Sequence, residues 1–369
     1  MLSWDDGGRE ITAAYASLRG GAAPRRATVA DDTLAADAAF RLVSQGTAII
    51  WRGDFVNGRQ LLQALGRRVD GRLKVKSDAV EPAASFNSWR QVNAQRANML
   101  SLLLVPVTAG AIALPRAPDA GPALRDAFSE LPEAAVIPLR DVLTAVSAAE
   151  WQRKGVPVAA LGASIHPRFG VFPPTRQDYV ELVARAPLPA AETAFDLGTG
   201  SGVLGAVLLK RGMPRLVATD LSDSAIATAR DTFDRLGFGS RAELASGSLY
   251  PEGKAGLIVC NPPWLPGKAG TDLEAAVYDP DSRMLRGFLD GLVAHLEPNG
   301  QGWLIMSDLA EHLGLRQPGE LSEMIASAGL VVAERRDTPP SPKGARDKDD
   351  PLHFARSKEV VSLWRLRAA

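Results

Sequence analysis

A single cysteine, Cys260, stands in 369 residues. That excludes an intrachain disulfide and any zinc site built on paired thiolates. Histidine is nearly as scarce. His166, His295, His312 and His353 lie far apart with no ligand spacing, so no metal is expected. No apolar run approaches the roughly 20 residues of a membrane-spanning helix. An excess of one charge is missing too. Lys+Arg and Asp+Glu both number 42 and cancel, so no global field draws the chain to nucleic acid or anionic lipid. The opening stretch MLSWDDGGRE is acidic and lacks the basic-then-apolar order of a secretory signal. The expectation is a cytoplasmic protein without membrane contact, either a monomer or a weak homodimer.

What is present suits a folded α/β chain of two domains. Residues 1–150 are expected to form an N-terminal α/β accessory domain that recognises substrate. They include a helical rhythm in TLAADAAFRLVSQG, a strand in TAIIWRG (47–53) and an amphipathic helix in NGRQLLQALGRRV (57–69). A second helical pattern, 86–107, runs into an apolar segment, and the proline-rich stretch 113–124 reads as a loop. The character changes near residue 155, and 151–369 is expected to be the catalytic domain. From residue 193 strands and helices alternate, which predicts a doubly wound, Rossmann-like parallel sheet covered on both faces. Ligands in such folds bind at the C-terminal ends of the strands. Asp196, Asp220 and Asn261 each fall at the end of a predicted strand, so they are expected to share one rim.

The stretch FDLGTGSGVLGAVLL (195–209) reads as strand, glycine turn and helix. Gly198, Gly200 and Gly202 let the backbone pass close to a ligand, and the helix start offers free N–H groups. Asp220, ending the next strand, can take two ribose hydroxyls. Two cofactors fit this outline. Gly200, Gly202 and Gly205 satisfy G-x-G-x-x-G with an acid some 20 residues on, the pattern of a dinucleotide site. The alternative is S-adenosylmethionine, whose turn is D-x-G-x-G, here Asp196, Gly198, Thr199 and Gly200. An acid in that strand suits the cationic amino end of the methionine and repels a pyrophosphate. A plain β–turn–helix with glycines for packing is the third option.

The stretch VCNPPW (259–264) bears on the choice. Methyl transfer is an in-line displacement at a sulfonium methyl, and a planar amide or aromatic amine is a poor nucleophile because its lone pair is delocalised. The Asn261 side-chain oxygen and the Pro262 carbonyl can accept from its N–H groups. Pro262 and Pro263 stiffen the corner, so little reorganisation is needed. Trp264 can stack on the flat acceptor, a contact worth about 1–3 kcal/mol for a nucleobase. Holding both partners in line supplies on the order of 7–11 kcal/mol at best. The bland alternative is a Pro-Pro turn that ends a strand beside a core tryptophan.

On these motifs the segment 165–366 resembles the class I S-adenosylmethionine methyltransferases with an N-P-P-[FYW] motif, the group of release-factor glutamine, ribosomal guanine-N2 and adenine-amine methyltransferases. The resemblance implies a seven-stranded sheet with an antiparallel last strand, here EVVSLWRL. It implies that Asp196, Gly198, Thr199, Gly200 and Gly202 line the cofactor and that Asp220 and Leu221 hold its ribose side. It places Ser248 and Leu249 near the adenine, where the family often has an acid, and Asn261 to Trp264 around the acceptor. The stretch 274–300 resembles glutamine methyltransferases, with their acid-Pro pair. Segment 169–183 stands where those enzymes have an entry segment, and Phe172, Pro174 and Thr175 are its expected closing residues. The N-terminal half is more similar to the ribosomal guanine methyltransferases. Residues 52–96 carry nine Lys/Arg against four Asp/Glu, which suits phosphate tracking and equally a solvated helix face. The partner is therefore a protein, a peptide or an RNA. A nicotinamide oxidoreductase and a catalytically silent cofactor-binding protein are the competing classes.

Overall fold

The alternating segments after residue 193 fold into one seven-stranded sheet in the computed structural model, which describes residues 1–77, 80–247, 249–338 and 347–369. Its strands are β1 (Thr193–Leu197), β2 (Arg215–Asp220), β3 (Ala242–Ser246), β4 (Ala255–Cys260), β5 (Leu296–Ser307), β6 (Leu330–Thr338) and β7 (Val361–Ala368). Their spatial order is β3-β2-β1-β4-β5-β7-β6. Neighbours from β3 to β5 run parallel, and β7 lies antiparallel to both β5 and β6.

Side chains alternate across the sheet, as the pleat requires. Ala194, Leu216, Ala218, Leu257, Val259, Trp303 and Ile305 point to one core. Against them pack α1 (Asp178–Arg185), α2 (Val203–Lys210) and α3 (Asp223–Arg235), through residues such as Val180, Leu204 and Phe233. Phe195, Leu197, Val217, Ile258, Cys260, Leu304 and Met306 point the other way. They meet α4 (Arg283–His295) and α5 (Glu320–Ser327) through Leu285, Phe288, Leu289, Leu321 and Ile325. Both faces are dry, which explains the near-continuous apolar strands.

Register then sets the rim. Leu197 pairs with Thr219 on one side and with Cys260 on the other. The next residue on each strand is Gly198, Asp220 and Asn261. The three leave the sheet abreast.

Two compact units result, 1–76 with 87–150, and 77–86 with 151–369. Residues 77–86, read with the N-terminal half in the sequence, belong to the second. The first unit has its own mixed sheet. Its order is Leu2–Asp6, Arg9–Tyr15, Ala134–Pro138, Leu103–Thr108, Thr47–Trp51, Arg26–Ala30. Helices Ala36–Ser44 and Phe55–Arg72 contribute Ala39, Val43, Leu61, Leu65 and Val69 to its core. The three strands before residue 31 went unread behind an alanine-rich composition. Gly7 and Gly8, both with positive φ (65° and 89°), close the first hairpin, a glycine-pair turn signal.

Gly205, third glycine of the dinucleotide pattern, is explained by packing alone. A methyl group there would lie 2.6 Å from Leu216 Cδ2 and 3.0 Å from Asp196 Oδ2. Gly205→Ala is expected to lower stability by about 1–3 kcal/mol through overpacking. Urea denaturation reads it, and an unchanged midpoint contradicts the close approach of α2 to β1 and β2.

Candidate functional site

The glycine turn stands on a buried carboxylate. Asp196 is only 2% exposed. Its Oδ2 accepts the Thr199 hydroxyl at 2.7 Å and the Gly205 N–H at 2.9 Å. Burial pushes its carboxyl up to about 6 against those two hydrogen bonds, and nearby Asp220 adds to the rise. Asp196 therefore braces the turn from beneath, a task the sequence did not suggest. Thr199 is buried as well, and its backbone N–H is stitched to the Thr219 carbonyl at 2.9 Å. Thr199, expected to line a cofactor, turns its hydroxyl inward onto Asp196.

Above the brace the backbone takes left-handed conformations at Gly198 (φ 68°), Gly200 (φ 54°) and Gly202 (φ 78°), which suit glycine. A side chain at Gly200 would meet no atom within 4 Å, so that stretch of backbone faces open space. At Gly198 a methyl group would overlap Met284 Cε, which lies against the turn. Gly202 stands at the N-cap of α2.

Asp220 joins the two loops. Its Oδ2 accepts the Gly200 N–H and its Oδ1 the Ser222 N–H, both at 2.9 Å. Each oxygen keeps a lone pair for a further donor. Leu221 follows, 79% exposed, an apolar side chain standing open at the rim. Leu249, expected near the adenine, is half-buried against α4. Its Cδ2 lies 3.0 Å from where a methyl on Gly287 would be, and its carbonyl accepts the Thr219 hydroxyl at 2.8 Å. Ser248 lies outside the described residues, as do 339–346 of the loop read at 337–356.

The proline corner follows β4. Asn261 is half-buried, Pro262 buried, and Pro263 and Trp264 half-buried. The Trp264 indole N–H donates to Asn261 Oδ1 at 2.9 Å. The Arg176 guanidinium carbon sits 4.9 Å from the Trp264 ring centroid, and Tyr179 meets that ring edge-on at 6.5 Å. The structure thus covers part of the indole that the sequence reserves for stacking. Behind the corner Asp279, 4% exposed, accepts the N–H groups of Met284 and Leu285 at 3.0 and 3.1 Å and caps α4. In the entry segment Phe172 is 42% exposed, Pro174 is buried and Thr175 exposed.

Arg176 is the residue that sequence reasoning passed over. Nothing marked it out among the arginines of the chain. Its Nε donates to both Asp178 oxygens at 2.9 and 2.7 Å, and its Nη1 donates to Glu359 Oε1 at 2.9 Å. Burial works against its charge, yet the two ion pairs hold its pKa above the ordinary value.

Among the described residues no group of three His, Cys, Asp or Glu is placed to hold a metal ion, and no helix is long and apolar enough to cross a membrane.

Residues 163–331 match the family model described as Methyltransferase small domain. The chain is 29% identical over 179 residues to the tRNA1(Val) (adenine(37)-N6)-methyltransferase of Shewanella sediminis, covering 45% of this chain and 67% of that one. It is 30% identical over 154 residues to the release factor glutamine methyltransferase of Cereibacter sphaeroides, covering 38% of this chain and about half, 52%, of the relative. Among solved structures, ribosomal protein L11 methylase from Lactobacillus delbrueckii subsp. bulgaricus aligns with 20% identity and a TM-score of 0.36, covering 52% of this chain and 76% of that one.

The brace is testable by pH. The folded chain holds the Asp196 proton more tightly than the unfolded chain does. Its contribution to stability is therefore full below about pH 4 and lost as pH rises through about 6. Thr199→Val removes a hydrogen bond that favours the ionised form. The variant is expected to titrate above the wild-type midpoint by carboxyl carbon NMR, and to lose about 1–3 kcal/mol at neutral pH. A lower midpoint contradicts the brace.

Proposed function

We propose that this chain is an S-adenosylmethionine-dependent N-methyltransferase that acts on a planar nitrogen. The observation that carries the reading is the register that sets Gly198, Asp220 and Asn261 side by side at one rim. The residues there suit the cofactor. Three left-handed glycines leave open backbone at Gly200, Asp220 offers carboxylate lone pairs to paired hydroxyls, and Leu221 offers an uncovered apolar side to a flat ring. When bound, S-adenosylmethionine supplies a methyl group on a cationic sulfur.

The chain's own residues do the rest. Asn261 Oδ1 and the Pro262 carbonyl accept from the acceptor's N–H groups and orient its weak lone pair. The two prolines keep those oxygens from relaxing away, so their dipoles stabilise the positive charge that develops on nitrogen. The proton leaves only after nitrogen has become cationic, so no strong general base is required. The part of the Trp264 ring that Arg176 leaves free is the surface for stacking. Close packing at Gly205 suits either cofactor's turn, and an intact Asn-Pro-Pro corner argues against a silent binding protein.

The favoured acceptor is the exocyclic amine of an RNA base. Support comes from the relatives named for tRNA adenine-N6 and from exposed Arg59, Arg67, Arg72, Lys74 and Lys76 on and after helix Phe55–Arg72, a surface suited to phosphate. The second reading is a protein glutamine amide. It rests on the acid-Pro pair Asp279-Pro280, whose buried Asp279 holds the first N–H groups of α4, and on the release-factor relative.

Calorimetry with S-adenosylmethionine and with NAD decides the cofactor, and binding of NAD alone overturns the proposal. Radiolabelled methyl incorporated into a cell extract and then challenged with nuclease or protease names the acceptor class. Asn261→Ala is expected to abolish transfer with cofactor affinity near wild type. Asp220→Asn is expected to weaken cofactor binding first, about tenfold for one lost charge-assisted hydrogen bond. Equal loss of both properties in Asn261→Ala means that the acceptor pocket lies elsewhere.

A further inference from the structure

An asparagine amide has two faces of opposite character, and an acceptor amine needs the oxygen. Free rotation of the Asn261 side chain would present Nδ2 as readily as Oδ1. Something must set the orientation, and the indole of Trp264 does so by donating to Oδ1 at 2.9 Å. An indole N–H is donor only, so this contact is incompatible with the flipped amide. One lone pair of Oδ1 is thereby used, and the other remains for one N–H of an acceptor.

The indole is itself held. Arg176 lies over its face at 4.9 Å. A guanidinium on an indole ring is attracted to the π cloud and draws electron density from it, which strengthens the ring N–H as a donor. Arg176 is fixed in turn. Its Nη1 donates to Glu359 Oε1, which also accepts the Ser307 hydroxyl at 2.6 Å. Ser307 ends β5, the neighbour of β4. Its Nε is held by Asp178 at the start of α1. Among the described residues Nη2 is buried with no hydrogen-bond partner, so ion pairs alone do not explain where the guanidinium rests. The indole face does.

Resting on the methyltransferase reading, we propose that Arg176 is a positioning residue: stacked on Trp264, it keeps the indole N–H on Asn261 Oδ1 and so fixes the amide oxygen toward the acceptor nitrogen. A tryptophan in the last place of Asn-Pro-Pro-aromatic then does what phenylalanine cannot, since phenylalanine has no donor.

Two kinds of measurement test it. In nitrogen-15 NMR the Trp264 indole signal is identified by its loss in Trp264→Phe. It is expected to exchange slowly with solvent in the wild type, and to move upfield and exchange faster in Arg176→Gln. Arg176→Lys, which keeps a cation over the ring, is expected to restore part of the shift. An indole signal that ignores both substitutions, or exchanges freely in the wild type, overturns the proposal. In kinetics, Trp264→Phe and Arg176→Gln are each expected to lower kcat about tenfold, the scale of one neutral hydrogen bond, with cofactor affinity unchanged. The double variant is expected to be no slower than the worse single variant, because both substitutions break the same contact. Additive losses, loss of cofactor affinity, or a faster Trp264→Phe enzyme, which would make the indole a competitor for Oδ1, each overturn it. A wild type that transfers methyl to neither RNA nor protein defeats the methyltransferase reading, and the indole signal still decides whether Arg176 holds Trp264.

Discussion

A carboxylate sealed beneath a glycine turn is the constraint on which the rim depends. Asp196 offers Oδ2 to a hydroxyl on the turn and to an N–H on the helix after it. One oxygen thereby ties strand, turn and helix. The turn above can then be bare glycine, because its shape is imposed from below and not by side chains of its own. Asp220 repeats the device at the surface, clasping Gly200 and Ser222 with its two oxygens. A ligand that meets Asp220 thus meets a group already positioned, and little ordering entropy remains to be lost on binding.

Much of the second unit was legible because burial on both faces writes itself into the strands. GLIVC and RLVATD are too apolar for a sheet with a wet side, and each is a central strand here. Parallel pairing of such strands brings their C-terminal ends to one side, so Asp220 and Asn261 were readable as neighbours before any register was known. The inward turn of Thr199 and the packing of Leu249 were not readable. A strand's pattern tells which face a residue takes, but a turn residue's direction depends on the partner it finds, here Asp196 three residues back for Thr199 and distant Gly287 for Leu249.

The first unit was less legible for a related reason. ITAAYA alternates weakly, since alanine is nearly neutral in burial and carries no strand preference. Only the Gly7-Gly8 pair signals the hairpin. Arg176 was invisible for a third reason. Its meaning lies in three contacts to residues 178, 264 and 359, the last two of them far off along the chain. No local spacing encodes a cation laid over an indole.

The order of the sheet has a consequence for how the molecule is made. β7 is inserted between β5 and β6, and β6 has no other neighbour in the sheet. During vectorial synthesis, the glycine turn, Asp220 and the proline corner all emerge well before β7 does. Glu359, the anchor of Arg176, stands two residues ahead of that strand. A nascent chain can therefore shape the glycine turn and its Asp220 clasp early, while the clamp on Asn261 closes only as the last strand threads into its slot.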